Sequence, residues 1–206
     1  QKNTEYFVGI GTASRVPDAR ELYFQSSAGA SIGTDTLDKT TNTEIDFGLE
    51  HKYTDGKVRA KFFYSKLDNY IYFRNSGTTD KFENIDAKIY GFELDGSYYI
   101  NDSLTFDAGY AYKVGKKDEA ISGQTDKDLA DITPAKTTLA LTYDHSEETM
   151  FKAEFINVAK WDNYDSDNGE QAIDGYNIVN LKAETSFKKN FKIIVGIDNI
   201  FDKTYA

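Results

Sequence analysis

The feature that most constrains this chain is the alternation of apolar and polar side chains with a period of two residues. In residues 104–114, for example, Phe106, Ala108 and Tyr110 share one face of an extended chain, and Thr105 lies on the other. This alternation is typical of strands with one apolar face. It predicts nine strands, at about residues 4–15, 44–50, 57–73, 90–100, 104–114, 136–144, 149–161, 179–187 and 191–198. Helical periodicity is confined to a turn at 17–22, so the chain is predicted to be all-β.

The connections between these strands alternate in length as regularly as the side chains alternate in polarity. Short polar connections lie at 54–56, 101–103, 146–148 and 188–190. Longer segments rich in Ser, Thr, Asp, Asn and Gly lie at about 16–42, 74–86, 115–135 and 162–173. Short connections of this kind form hairpin turns, and the longer segments have the composition of loops. This order predicts an antiparallel up-and-down sheet with all tight turns at one end.

Strand length distinguishes a membrane barrel from a soluble sandwich. Strands of soluble proteins usually have about five or six residues. Several strands here have about 11–15, and a strand tilted near 45° crosses a bilayer with about 9–11. The polar face also carries charges in mid-strand, such as Asp46, Glu93, Asp107 and Lys182. Such charges suit a wet barrel lumen better than the packed core of a sandwich, which is the alternative architecture.

Aromatic residues cluster at both ends of the predicted strands. One group lies beside the short turns: Tyr53, Tyr98, Tyr99, Tyr143, Phe187 and Phe191. A second group lies toward the long loops: Tyr70, Tyr72, Phe73, Tyr112 and Trp161. Two aromatic girdles that flank an apolar band are typical of barrels in the outer membrane. We therefore predict a transmembrane β-barrel.

Composition excludes several classes of function. The net charge of −10 is unfavourable for binding nucleic acid. The absence of cysteine excludes disulfides, thiolate zinc sites and cysteine nucleophiles. No apolar run approaches the 18 or so residues of a transmembrane helix. The chain begins with Gln1 rather than Met, which favours a processed or excised piece.

Four segments, taken together, resemble the TonB-dependent outer-membrane receptors. They are residues 14–23 (SRVPDARELY), 42–50 (NTEIDFGLE), 90–96 (YGFELDG) and 195–205 (VGIDNIFDKTY). The last is the most specific, because it is close to the family's "NLFDKxY" segment near the carboxyl end. The four segments occur in the family order and on predicted strands.

The resemblance covers residues 1–206 as the C-terminal portion of the family's barrel. It implies about nine strands of a barrel that has about 22 in this family. It also implies that the plug domain lies N-terminal to this chain and that a final strand follows Tyr205. Residues 83–91 resemble the copper-receptor branch of the family, although similar stretches occur in siderophore receptors.

The resemblance implies active uptake across the cell outer membrane. Such a receptor captures a metal chelate, either siderophore-bound iron or copper, and imports it in a TonB-dependent way. Its implied partners are this small ligand, outer-membrane lipid, and TonB acting through the N-terminal region that precedes the chain; nucleic acid is not among them. We expect no enzyme activity, no cofactor and no catalytic residue. The alternatives are a passive porin-like channel and a soluble β-barrel carrier of small apolar ligands.

Ligand-binding residues are predicted in or beside the long loops, where aromatic and charged groups orient a ligand. They are Arg15, Asp18, Arg20, Tyr23, Trp161, Tyr164 and Asp165. For Arg15 the alternative is an ion pair with a strand neighbour such as Glu44. Residues 162–170 are dense in oxygen ligands but lack the spacing of a calcium loop, which favours a solvated loop.

No metal ligands are predicted in this part of the chain. His51 and His145 lie beside short turns without metal-binding spacing, and copper prefers sulfur or imidazole ligands. Gly91, Gly96, Gly109 and Gly196 are expected to relieve crowding or bend strands in the barrel wall.

Overall fold

The structure is a computed structural model that describes residues 3–75, 80–187 and 191–205. Nine strands and one short helix account for most of these residues, so the predicted all-β class is confirmed. The elements are β1 Thr4–Arg15, α1 Ala19–Tyr23, β2 Thr40–Tyr53, β3 Gly56–Arg74, β4 Lys81–Asn101, β5 Leu104–Lys117, β6 Lys136–Asp144, β7 Thr149–Val158, β8 Tyr176–Phe187 and β9 Phe191–Ile197. No helix among the described ranges is long and apolar enough to cross a membrane.

The strands form one antiparallel sheet in which each strand pairs with its neighbours in the chain, in the order β1 to β9. The predicted turns at 54–56, 101–103 and 146–148 each join two strands at the same end of this sheet. The predicted turn at 188–190 lies outside the described residues. The four longer connections lie at the opposite end, which confirms the up-and-down topology.

The register gives the sheet one apolar face and one polar face. Residues paired across strands share a face, so the apolar face can be followed from β1 to β9. It includes Val8, Phe47, Phe62, Phe92, Tyr112, Leu139, Phe155, Leu181 and Ile197. The polar face includes the predicted mid-strand charges Asp46, Glu93, Asp107 and Lys182, and two of these, Asp46 and Lys182, form ion pairs. Lys61 Nζ lies 2.9 Å from Asp46 Oδ1, for example.

A β-bulge between Leu67 and Tyr70 reverses the alternation in the outer part of β3. Asn69 adopts a left-handed conformation with φ of 52°. Its amide donates to Asp86 Oδ1, and its carbonyl accepts from the side chains of Thr40 and Asn84. The bulge places Tyr70 and Tyr72 on the polar face, because the extra residue reverses the face of every β3 residue that follows it.

The predicted loop at 74–86 is mostly strand, so that boundary is wrong. β3 extends to Arg74 and β4 begins at Lys81, with Phe73 paired to Phe82 across the two strands. Their rings lie 5.0 Å apart, which stabilises the extended hairpin. The polar residues of 83–86 have the composition of a loop, and their strand conformation depends on the partner strand.

The aromatic girdle beside the tight turns is exposed as predicted, with Tyr53, Tyr98 and Phe191 each more than half exposed. The girdle at the loop end is partly wrong. Tyr72 and Trp161 are buried in a core formed by the loops. Strand β7 ends at Val158, and Trp161 belongs to the following loop, where it pairs with Ile173.

The sheet is open. Among the described residues, the outer edges of β1 and β9 have no strand partner. Unpaired backbone groups at such edges associate with other strands, and lipid cannot satisfy them. We therefore expect that residues 1–206, expressed alone, will form oligomers or aggregates in detergent. Sedimentation velocity would measure this, and a monodisperse monomer would contradict the open-sheet prediction.

Candidate functional site at the loop end of the sheet

The connection after β1 contains the first group of predicted ligand-binding residues. Asp18 caps α1: its side chain accepts from the amide of Glu21, and Glu21 accepts from the amide of Asp18 in return. Arg15 makes two hydrogen bonds of 2.8 Å with the Glu21 carboxylate. The expected partner Glu44 is therefore wrong, and Glu44 instead accepts from Ser65. The guanidinium of Arg15 lowers the pKa of Glu21 below its usual value.

Arg20 and Tyr23 are both exposed. The Arg20 guanidinium lies 5.1 Å from the centre of the Phe24 ring, and Tyr23 is 68% exposed. Neither side chain makes an ion pair or a side-chain hydrogen bond within the described part of the chain. Of the first predicted group, Arg15 and Asp18 are thus held in internal contacts, whereas Arg20 and Tyr23 remain accessible to a ligand.

The loops after β5 and β7 fold together over the polar face of the sheet. Ile121, Leu129 and Ile132 of the first loop and Trp161 of the second are buried against strand residues such as Leu67. Together with Tyr72 and Ala87 they form the loop core. This packing places the two loops over the polar face at the loop end of the sheet. We call them the roof loops.

Gly115 allows the loop core to pack onto β5. A side-chain carbon at this position would lie 2.6 Å from Ile132 Cδ1 and 2.9 Å from Leu129 Cβ. The sequence prediction missed this glycine. Of the four it named, Gly91 and Gly96 do lie against backbone atoms of neighbouring strands. Gly109 has open space around it, so its predicted role in relieving crowding is wrong.

A buried ion pair lies at the centre of the loop core. Lys117 Nζ lies 2.5 Å from Asp165 Oδ2, and both side chains are fully buried. The Tyr72 hydroxyl donates to the same carboxylate oxygen at 2.5 Å and accepts from the amide of Ala130. We call Tyr72, Lys117 and Asp165 the loop lock, because they join strands β3 and β5 to the loop after β7, and Tyr72 also binds Ala130 of the loop after β5.

Further hydrogen bonds join the two loops around the loop lock. Asp167 accepts from the amides of Thr125 and Asp126, and the Asp126 carboxylate accepts from Ser166 in the opposite direction. The amides of Asp126 and Thr125 lower the pKa of Asp167. These carboxylates accept hydrogen bonds within the protein, so residues 162–170 are only partly the solvated loop that the sequence predicted: Asp162 and Asn163 are exposed and Asp165 is buried. No group of acidic or histidine side chains within the described residues has the arrangement of a metal site.

Below this roof, a recess of about 490 Å³ opens on the polar face of the sheet. Its walls come from the first residues of β6 and β8, the half of β5 nearest the long loops, and the ends of both loops. The lining residues are Phe63, Glu93, Ala111, Tyr112, Lys113, Thr133, Pro134, Lys136, Val158, Ile173 and Tyr176. Aromatic walls with a few charged groups are typical of small-molecule sites. This recess is the candidate ligand site.

The recess does not contain the residues that the sequence predicted. Trp161 is 5% exposed and Asp165 is fully buried, whereas Tyr164 packs partly buried against the loop core. These three residues shape the roof rather than line the cavity. Sequence reasoning missed Lys113 and Lys136, although both follow the alternation that places them on the polar face.

An open, strictly sequential sheet with one apolar and one polar face, long loops at one end and a roofed recess defines part of an outer-membrane β-barrel. The family model for the TonB-dependent receptor-like β-barrel matches residues 2–200. The chain therefore belongs to this family of receptors and is a protein of the outer membrane. This location excludes the soluble carrier that the sequence left as an alternative.

Solved structures of the same family include receptors for copper and for iron chelates. The copper transporter OprC shares 26% identity and superposes with a TM-score of 0.84 over 98% of this chain. A mutant of the ferric enterobactin receptor PfeA from Pseudomonas aeruginosa shares 18% identity, with a TM-score of 0.74 over 98% of the chain. The siderophore receptor PirA from Pseudomonas aeruginosa shares 17%, with a TM-score of 0.71 over 98%. These last two likenesses concern the fold alone.

The chain spans about a third of each of these proteins: 32% of OprC, 33% of PfeA and 34% of PirA. No curated protein matches the chain significantly.

Proposed function

We propose that this chain is part of an outer-membrane receptor that takes up a metal chelate by an energy-coupled, TonB-dependent route. The observation that carries the proposal is the roofed recess, which lies at the loop end of a barrel wall belonging to this family. A channel for passive diffusion needs an open mouth, whereas here two loops fold inward and are fixed to the wall by the loop lock. A fixed, concave and partly aromatic surface favours capture of a ligand over free passage.

The cargo is proposed as a complex rather than a bare metal ion. Within the described part of the chain, no cluster of side chains is arranged to hold a metal. His51 lies against Tyr53 beside a tight turn, with ring centres 4.3 Å apart, far along the strands from the loops. In this part of the receptor, recognition would therefore involve the organic groups around the metal. The likeness to OprC supports copper as a candidate metal, and iron remains the other candidate because the resemblance to this family also includes siderophore receptors.

The full-length receptor can be tested by transport into whole cells. Cells with the receptor should accumulate a radiolabelled metal chelate, and cells lacking either the receptor or TonB should not. Parallel assays with iron chelates, copper chelates and copper alone would identify the metal. Uptake that continues without TonB, together with ion conductance of the purified receptor in a planar bilayer, would favour the porin-like channel instead.

The same receptor should expose its long loops at the cell surface. Ser122 and Asn163 are exposed residues of the two roof loops, and Asp55 lies in a tight turn at the opposite end of the sheet. Cysteines introduced at Ser122 and Asn163 should react with an impermeant maleimide on intact cells, whereas one at Asp55 should react only after lysis. Labelling at Asp55 alone on intact cells would reverse the proposed orientation.

A further inference from the structure

Two lysine side chains in the recess are unpaired within the part of the chain that the structure describes. Neither Lys113 nor Lys136 makes an ion pair or a side-chain hydrogen bond with a described residue, in contrast to Lys61, Lys152 and Lys182 on the same face. Both unpaired lysines line the recess. An unpaired ammonium group in a concave site is a preformed point of attraction for an anion.

The strand register brings the two lysines together around a small residue. Ala111 pairs with Lys136 on β6 and with Glu93 on β4. Lys113 is two residues further along β5, on the same face. Diagonal neighbours of this kind have their β-carbons about 7–8 Å apart, so both ammonium groups can reach one ligand above Ala111.

The charge of the recess is opposite to that of the chain. The lining contains Lys113, Lys136 and Glu93, which gives two positive charges and one negative charge. Among the other charges on this face, Lys61 lies opposite Glu93 and pairs with Asp46 at 2.9 Å, and Asp95 lies two residues from Glu93, outside the lining. The recess thus carries a net charge of +1 in a chain whose net charge is −10. Long-range attraction of anions by the chain as a whole is unfavourable, so selectivity for an anion depends on this local site.

We propose that the recess is a subsite for an anionic, aromatic chelate, held by Lys113 and Lys136 and packed against Phe63 and Tyr176. This inference rests on the proposed uptake function and specifies the class of chelate. The ammonium groups would form charge-assisted hydrogen bonds with oxygen atoms of the complex. The rings of Phe63 and Tyr176 would contact its planar groups. A bare metal cation would be repelled by the same lysines.

This subsite can be tested by measuring how the purified full-length receptor in detergent binds two iron complexes that differ in charge. One is the trianionic complex of iron(III) with three catecholates, and the other is a neutral iron(III) tris-hydroxamate. Lys113→Met and Lys136→Met should each weaken binding of the anionic complex by about tenfold and leave the neutral complex unchanged. Glu93→Gln should tighten binding of the anionic complex, because it removes the negative charge.

Lys160→Met is the matched control. Lys160 lies in a roof loop, pairs with Asp162 at 2.9 Å and is outside the recess. This variant should bind both probes as the unaltered receptor does. Lys113→Arg and Lys136→Arg should retain most of the affinity for the anionic complex, which separates a loss of charge from a failure to fold.

The outcomes separate this inference from the proposed function. Equal affinity of the lysine variants and the unaltered receptor for the anionic complex would overturn the subsite and leave chelate uptake standing. An equal loss for the anionic and neutral probes would overturn it as well, since charge would then not be the cause. A receptor that binds neither chelate and transports only copper ions would overturn both the subsite and the proposed uptake of a chelate.

Discussion

Replacement of Lys117 by methionine in the full-length receptor will destabilise the roof of the barrel by about 3–5 kcal/mol, because it leaves the buried Asp165 carboxylate without its cation. Asp165→Asn should have a similar effect, since it leaves a buried ammonium group without its anion. Both side chains are fully buried, and the Tyr72 hydroxyl also depends on the carboxylate. The penalty therefore includes desolvation as well as the lost attraction.

Hydrogen exchange of backbone amides in the roof loops measures this effect locally. The amide of Ala130 donates to Tyr72 and that of Asp131 donates to Glu170, so both report on opening of the roof. In the Lys117→Met variant their exchange should accelerate by more than a hundredfold, as expected for a loss of about 3 kcal/mol or more.

Two further variants distinguish a buried pair from a surface pair. Lys127→Met removes an exposed pair with Glu119 and should cost about 0–1 kcal/mol. The double variant Lys117→Met with Asp165→Leu should recover much of the lost stability, because apolar side chains can replace a buried ion pair. If the single and double variants opened equally easily, the ion pair would not be what holds the loops.

Arginine at Leu181 should destabilise the barrel by about 2–4 kcal/mol in a bilayer, which is the penalty for a cation at mid-depth on a lipid-facing wall. Leu181 is the sixth of the twelve residues in β8, lies on the apolar face and is 42% exposed. Phe106→Arg should cost less, because Phe106 pairs with Tyr98 near the tight turns, where the interface begins. Urea titration of the full-length receptor refolded in lipid vesicles would measure both penalties.

Gly109→Arg is the matched control for this prediction. Gly109 lies on the polar face of β5 and faces Asp95, and a side-chain carbon at this position would have no neighbouring atom within 4 Å. An arginine there should be tolerated with little loss of stability. Glu184 is a poorer control, because it pairs with Lys182 and Lys192 and an arginine would face both. Equal penalties at Leu181 and Gly109 would contradict the assignment of the two faces.

The sequence predicted the wall of the barrel better than its mouth. Alternation is a local property of each strand, so the apolar face through Phe47, Leu139 and Leu181 follows directly from the order of residues. The hairpin turns also depend on short segments alone. The bulge at Asn69 reverses the alternation, and the sequence marks it only by the polar pair Asp68 and Asn69 between two apolar segments. Such a pair does not predict a bulge.

The loop core and the candidate recess depend on contacts between distant residues, which explains why the sequence did not predict them. Lys117 and Asp165 are 48 residues apart, and each lies in a polar segment that resembles solvated loop. Trp161 and Asp165 were predicted to bind ligand because of their chemistry, and that same chemistry is used inside the loop core. Lys113 and Lys136 were missed because an unpaired lysine cannot be distinguished by sequence from a paired one.

The loop lock also has a consequence for the order in which the chain folds. Each strand pairs only with its chain neighbours, so the wall can grow one hairpin at a time from local contacts. Asp165 can reach Lys117 only when β5, β6 and β7 are already side by side and the chain has turned toward β8. The ion pair therefore forms after this part of the wall, and a receptor in which it has not yet formed would present an unroofed mouth to proteases at the cell surface.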